Sequence, residues 1–585
     1  HSPKKGFSFM NYSADIIKNK RRFLPEDFTL GTWEDVEPYL QQLLNGDIES
    51  KHLLENWLKD LSELEAAISE DACWRQIRMT CDTENQALED AYNFYCLEIQ
   101  PKIEPFADAL NKKLMAAPAL KQLDQQRYFT YFRNIRKNIE LFREENIPLQ
   151  AETSVLQQQY GQVTGDMTVN INNEEYTLQQ AAKFLESPKR EIREAAYRKI
   201  QERRLQSKSE LNELFNKLLQ LRNQQALNAG FANYRDYRFK ELGRFDYTKE
   251  DCFKFHEAVK QHILPLINKI YQKKVAKLGL EKLRPWDLDA EPEGTEPLHP
   301  FSNGKELLQK TVICFNKLHP FFGQCLLKMD EMKHFDLDSR KGKSPGGYNC
   351  PLAESGAPFI FMNAAGQMND VTTMLHEGGH AVHSFLAHPL ALTGFKEYPM
   401  EIAEVASMAM ELMSMDDWDS FFSNENELKR AKIHQLERVI TIFPWIAVID
   451  KFQHWLYEHP QHSIEERSKE WINILNEFKD EVTDYSGLED FRNNAWQRQL
   501  HLFEVPFYYI EYGIAQLGAI GVWMQFKQNR QAAIEKYCNA LSLGGTQTLP
   551  DLYKYAGLSF DFSPEKIKVL VEFVQQQMEN IEANN

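Results

Sequence analysis

The chain has 585 residues, 43% of them hydrophobic, enough to bury a large core and more than one typical domain holds. Asp and Glu outnumber Lys and Arg by 85 to 68, a formal charge of -17, which argues against the basic surface that a nucleic-acid partner needs. The eight cysteines form no CxxC pair, no apolar run reaches membrane length and the N-terminal stretch has no signal-type apolar segment, so the reading is reduced thiols, no membrane partner and a cytoplasmic location.

Taken in chain order, residues 32–68 place apolar residues three and four apart and predict amphipathic helix, with Thr32 as N-cap and Asp35 where a full capping box carries Glu or Gln. Similar periodicity over Ala107 to Arg143 and Glu191 to Asn228 predicts more helix. Between these, Met167, Val169 and Ile171 alternate ahead of an Asn-Asn pair, the pattern of a small hairpin. The Pro-, Gly- and acid-rich stretch from Glu281 to Gly304 predicts a long surface connection and a joint between lobes, with a hinge over Glu291 to Gly304. The apolar run Phe359 to Met362, preceded by Gly346, Gly347 and Gly356, is short enough for a strand. It could lie exposed, offering its backbone to an extended peptide, or be a buried hairpin.

The stretch "TMLHEGGHAVHSF", Thr373 to Phe385, follows. Asp370 or Asn369 can cap a helix there, and on that helix His376 and His380 stand one turn apart and can reach one zinc ion from the same face. Glu377 would lean over the metal as general base for water. Adjacent glycines in a helix are costly, so Gly378 and Gly379 imply a close backbone approach, by the neighbouring strand or by substrate. A third histidine ten residues after the first is absent, since Leu386 stands there. His383 shares the helix, which makes it a poor third ligand and a better supporting or substrate-side group.

Pro389 ends this helix, and Pro399 opens a second, nearly apolar one in which Glu401, Glu404 and Glu411 share a face. Buried carboxylates in such a helix need a cation or donors. Glu404 is the first choice for third ligand and Glu401 the reserve, while Glu411 can orient an imidazole through its other nitrogen.

"HEGGHAVHSF", followed 24 residues after His380 by the Glu of "AEVAS", resembles the zinc peptidase family that holds thimet oligopeptidase and oligoendopeptidase F, and the latter more closely. The segments "RFKELGRFDYTKED", "GGYNCP", "PFIFMN" and "HLFEVPFYYIEYGIAQLGA" extend the likeness from about residue 110 to near the C-terminus. The resemblance implies a mainly α, elongated two-lobed fold with a deep central channel and a small β element beside the zinc helix. It implies an N-terminal helical region over 1–110, a helical lobe with the hairpin over 111–190 and a catalytic domain over 191–585. By position it makes His376, His380 and Glu404 the ligands of one Zn2+ per chain and Glu377 the base. Gly347, Tyr348 and Phe359 would flank the peptide. Pro506 can start a helix with Tyr508 and Tyr512 on one face, and the resemblance favours His501 and Tyr508 as oxyanion donors and Tyr512 as a substrate contact. The expected activity is zinc-dependent endopeptidase action on short oligopeptides, by a monomer or small homo-oligomer. The rivals are an exopeptidase with the same zinc chemistry and a non-catalytic helical peptide-binding protein.

Overall fold

The computed structural model describes residues 12–16, 20–340, 342–344 and 346–584. It is mainly α-helical. Helix α1 (Trp33–Asn45) starts at Thr32, and Asp35 fills the box position despite its shorter side chain, its carboxylate accepting from the backbone N–H groups of Gly31 at 2.9 Å and Thr32 at 2.7 Å. The periodic stretch does not run on as one helix. α1 stops before Gly46, and α2 (Lys51–Cys81) restarts where the Ser50 hydroxyl accepts from the Leu53 N–H. The stretch from Ala107 is broken too, because Pro118 keeps Ala117 extended. Helix resumes at Phe129–Leu141. These elements bury a first core from Leu24 to Ile135, joined by Leu392 and Phe395 from the second half of the chain.

The small hairpin forms as strands β1 (Thr168–Ile171) and β2 (Glu174–Thr177). Asn172 and Asn173 both take left-handed φ angles, +54° and +63°, as a two-residue turn matched to strand twist requires. Helices α3 (Arg190–Gln206) and α4 (Lys208–Asn228) then meet at Ser207, splitting the run predicted from Glu191 to Asn228.

A second, larger core takes in most of the remainder, including α5 (Lys249–Ala258) and α6 (Gly304–Leu318). The connection over Glu291 to Gly304 is irregular, but it does not join lobes. Ile267 before it, Phe301 within it and Leu307 after it all lie in this one core, and Lys310 Nζ pins the Pro300 carbonyl at 2.7 Å.

Next comes a three-stranded sheet of β3 (Phe335–Asp338), β4 (Tyr348–Cys350) and β5 (Phe359–Ala364) in the order β3-β5-β4. The strand at Phe359 is therefore central and buried, not exposed, since β3 and β4 take its two edges. β3 and β4 are the edge strands, each paired on one side only. Strand alternation sends Ile360 and Met362 into the large core, while Phe359, Phe361 and Cys350 join Ile77 and Leu352 in a small cluster against α2.

Helices α7 (Met368–Ala387) and α8 (Met400–Met413) carry the histidine motif and the glutamates. Gln367 is the N-cap of α7, and Asp370, expected as the cap, sits inside the first turn and accepts from the N–H groups of Ala365 and Gln367 at 2.8 and 2.9 Å. α7 ends ahead of Pro389, and Pro399 caps α8. Gly378 and Gly379 are explained here. A Cβ on Gly379 would lie 2.7 Å from Ser407 Cα and 2.8 Å from the Ala406 carbonyl oxygen of α8, and one on Gly378 would meet the Phe315 ring of α6 at 2.6 Å. The partners are neighbouring helices, not a strand or substrate, because the glycine face of α7 points into the core. Helix α9 (Phe443–Glu458) and helix α10 (Ile510–Gln528) complete the elements that position the site.

Candidate active site

One turn of α7 sets His376 and His380 side by side, and the close approach of α8 at Gly379 brings Glu404 to them. One ligand atom from each of the three lies within 4.8 Å of the others. Glu404 Oε2 is 3.2 Å from His376 Nε2, and Oε1 is 3.6 Å from His380 Nε2. Burial would raise the Glu404 carboxyl, yet His380 and His376 beside it bring it down to about 2. The Ser407 hydroxyl, one turn along α8, holds Oε2 at 3.1 Å. Two imidazole nitrogens and a carboxylate are a donor set that suits catalytic zinc.

His376 is oriented from behind. Its Nδ1 lies 2.7 Å from Glu411 Oε1, and Gln435 Nε2 donates to Glu411 Oε2 at 2.9 Å, so Nε2 is left to face Glu404. Glu401, the reserve ligand, is engaged elsewhere and accepts the Tyr247 hydroxyl at 2.8 Å. His383 is 0% exposed and stacks flat on Tyr398 with ring centroids 3.7 Å apart, so it cannot meet a substrate.

Glu377 is buried beside the two histidines, and desolvation pushes its carboxyl up to about 7, with His376 opposing the rise and Glu404 and Glu411 adding to it. A carboxyl near neutrality can both take and return a proton. Its backbone carbonyl accepts from Asn349 Nδ2 at 3.3 Å, tying the edge strand to the motif.

Tyr508 reaches the same centre, donating its hydroxyl to Glu404 Oε1 at 3.2 Å. It does not come off a helix begun at Pro506: α10 begins at Ile510. The turn before it is held by Phe507, whose φ is +65°, rare for a large side chain. Gln453 accepts the Phe507 N–H at 2.5 Å and Arg244 donates to the Phe507 carbonyl oxygen, which fix that turn. His501 Nε2 lies 3.2 Å from the Tyr512 hydroxyl, and Gln499 donates to its Nδ1 at 2.7 Å. Burial lowers His501 to about 4, so the ring is neutral near pH 7. Tyr512 thus braces His501.

Gly347 packs beside Thr373 of α7, close to the motif. The side chains of Tyr348 and Phe359 do not. Tyr348 stacks on Phe361 at 4.7 Å and shares a 2.6 Å hydrogen bond with Thr80 of α2, and Phe359 packs on Trp74 and His334. Strand alternation puts both rings on the sheet face away from α7, so of the two only Tyr348, on the edge strand β4, keeps backbone available to a peptide. Ser407, Gln435, Asn349, Gln499 and Arg244 escape the sequence reading. Ser407, three residues from Glu404 on one helix, and Gln499, two residues before His501, left a signal.

A family model described as peptidase family M3 matches residues 183–568, and one described as peptidase M3 N-terminal domain matches residues 23–142. Oligopeptidase PepF of Bacillus subtilis is 23% identical over 426 residues, 70% of this chain and 60% of its own length. An oligoendopeptidase F homolog of Borreliella burgdorferi is 22% identical over 66% of this chain and 64% of its own. The chain therefore matches less than two thirds of the length of these relatives. Among solved structures, PZ peptidase A with inhibitor 2 superposes with a TM-score of 0.89 at 25% identity, covering 96% of this chain and 99% of that one. A protein described as putative oligoendopeptidase F gives 0.88 at 26% with the same coverage. With its family match spanning the histidine motif, Glu404 and Tyr508 together, the chain belongs to peptidase family M3.

Proposed function

We propose that this chain is a zinc-dependent endopeptidase that hydrolyses short oligopeptides. The observation that carries the proposal is the convergence of His376, His380 and Glu404 within 4.8 Å, with buried Glu377 on the same helix turn and the Tyr508 hydroxyl on Glu404. The names oligopeptidase and oligoendopeptidase F among the relatives support the substrate class.

His376, His380 and Glu404 would hold the ion. When bound, zinc supplies Lewis-acid polarisation of water and of the scissile carbonyl. Glu377 takes the proton from the attacking water and passes it to the leaving amine. Tyr508 and His501 donate hydrogen bonds to the carbonyl oxygen as it gains charge, in a setting where burial strengthens them. The exposed edge of β4, at Gly347 and Tyr348, pairs its backbone with an extended peptide and aligns the bond to be cut.

Glu377→Gln tests the assignment. The variant is expected to keep the wild-type zinc content while kcat on an oligopeptide falls about 10²–10⁴-fold, the usual contribution of a positioned general base. Retention of most of the activity would remove Glu377 from this role.

A further inference from the structure

A second set of metal-type donors lies in the large core, on helices that supply no donor atom to the Glu404 centre. Cys252 and His256 stand one turn apart on α5, and Asp450 and His454 one turn apart on α9, where the two helices pack together. One ligand atom from each of Cys252, Asp450 and His454 lies within 4.8 Å of the others. Cys252 and Asp450 are 0% exposed and His256 and His454 2%. His256 Nε2 is 2.7 Å from Asp450 Oδ2, and His454 Nε2 approaches the same oxygen at 3.2 Å.

The bonding among these groups is incomplete. Among the described residues Asp450 Oδ1 makes no hydrogen bond, and neither ring nitrogen of His454 makes one. Phe239, Phe253 and Phe507 surround His454, with ring centroids 5.8, 5.0 and 5.3 Å away, so the pocket offers an apolar wall and no alternative donor. Arg244, the nearby cation, donates from Nη2 to Glu511 and to the Phe507 carbonyl oxygen, and its Nε and Nη1 make no hydrogen bond among the described residues. Buried polar atoms are costly to leave without partners, and a buried carboxylate more so.

We propose that Cys252, Asp450 and His454 bind a structural zinc ion, with His256 taking the fourth position. A thiolate, a carboxylate and two neutral imidazoles form a tetrahedral donor set for zinc, and the two negative ligands cancel its charge, which suits a site closed to water. Binding releases the Cys252 proton to solvent and fills the open valences of Asp450 and His454. The ion clamps α5 to α9. Through Gln453 and the Phe507 turn it also fixes the ground on which Tyr508 stands.

Metal analysis tests this on the intact chain. Wild-type protein is expected to contain about two zinc ions per chain and His380→Ala about one. Protein produced with cobalt is expected to show a thiolate-to-cobalt charge-transfer band in the near ultraviolet, a band that the thiol-free Glu404 centre cannot give. The band should persist in His380→Ala and vanish in Cys252→Ala with the loss of about one metal ion. If Cys252→Ala fails to fold, the wild type and His380→Ala still decide. One zinc ion per chain, removed completely by His380→Ala and with no cobalt band, would overturn the site and leave a proton-sharing His256–Asp450–His454 network.

Discussion

Two of the three candidate ligands are held from behind, His376 by Glu411 and Glu404 by Ser407. The Glu411 carboxylate fixes His376 from behind at 2.7 Å while Gln435 holds Glu411 in turn, so the imidazole presents one nitrogen in one direction. Glu411→Gln keeps the size of the side chain and removes the charged acceptor. Zinc affinity measured by competition with a chelator is expected to fall about 10–100-fold, with activity returning at excess zinc. Unchanged affinity would show that His376 needs no such support. At this scale the sequence is informative where spacing within one helix carries the geometry, as for His376 and His380, and for Glu404 as an acid in an apolar helix. It is silent on Gln435 and Asn349, which arrive from elements whose approach only tertiary packing sets. Phe507 is likewise invisible, because nothing in its identity announces a left-handed backbone.

At the scale of elements, the geometry depends on how closely α8 lies against α7. Glycine at 379 removes the one side chain that would hold them apart. Gly379→Ala is expected to destabilise the fold by about 1–3 kcal/mol, the usual effect of overpacking a well-filled core. It should also weaken zinc binding, since Glu404 moves with α8; calorimetric unfolding and metal competition report the two effects. Loss of neither would mean that the helices part at no cost. Element type was readable from periodicity in this chain, and the hairpin from its Asn-Asn turn. Element ends were less so. The breaks at Gly46, Ala117 and Ser207 interrupt patterns that stay apolar on one face across the gap, so periodicity alone runs straight through them. The place of the Phe359 strand within its sheet was not readable, because β3 and β4 approach it from separate stretches of chain.

On the scale of the whole molecule, two helical cores share the chain: one built from Leu24 to Ile135, and a larger one that carries the histidine motif and the Tyr508 turn. The first core borrows Leu392 and Phe395 from the loop between α7 and α8, so the N-terminal region packs directly on the connection between the helices that carry the histidine motif and Glu404. The Pro-rich stretch from Glu281, read as a joint, runs largely at the surface but is pinned to the larger core by Phe301, a contact that composition cannot reveal. The family match explains why the fold class was accessible from the motif, whereas the packing of the two cores rests on contacts far apart in sequence. The central claim is that this assembly cuts oligopeptides internally by metal-dependent chemistry. Mass spectrometry of a peptide blocked at both ends, incubated with the protein before and after chelator treatment, tests it most directly. One internal cut should give two fragments, each keeping one blocked end, that disappear with chelator and return with added zinc; cleavage indifferent to chelator, or trimming of unblocked peptides while the blocked one stays whole, would rule out a metal-dependent endopeptidase.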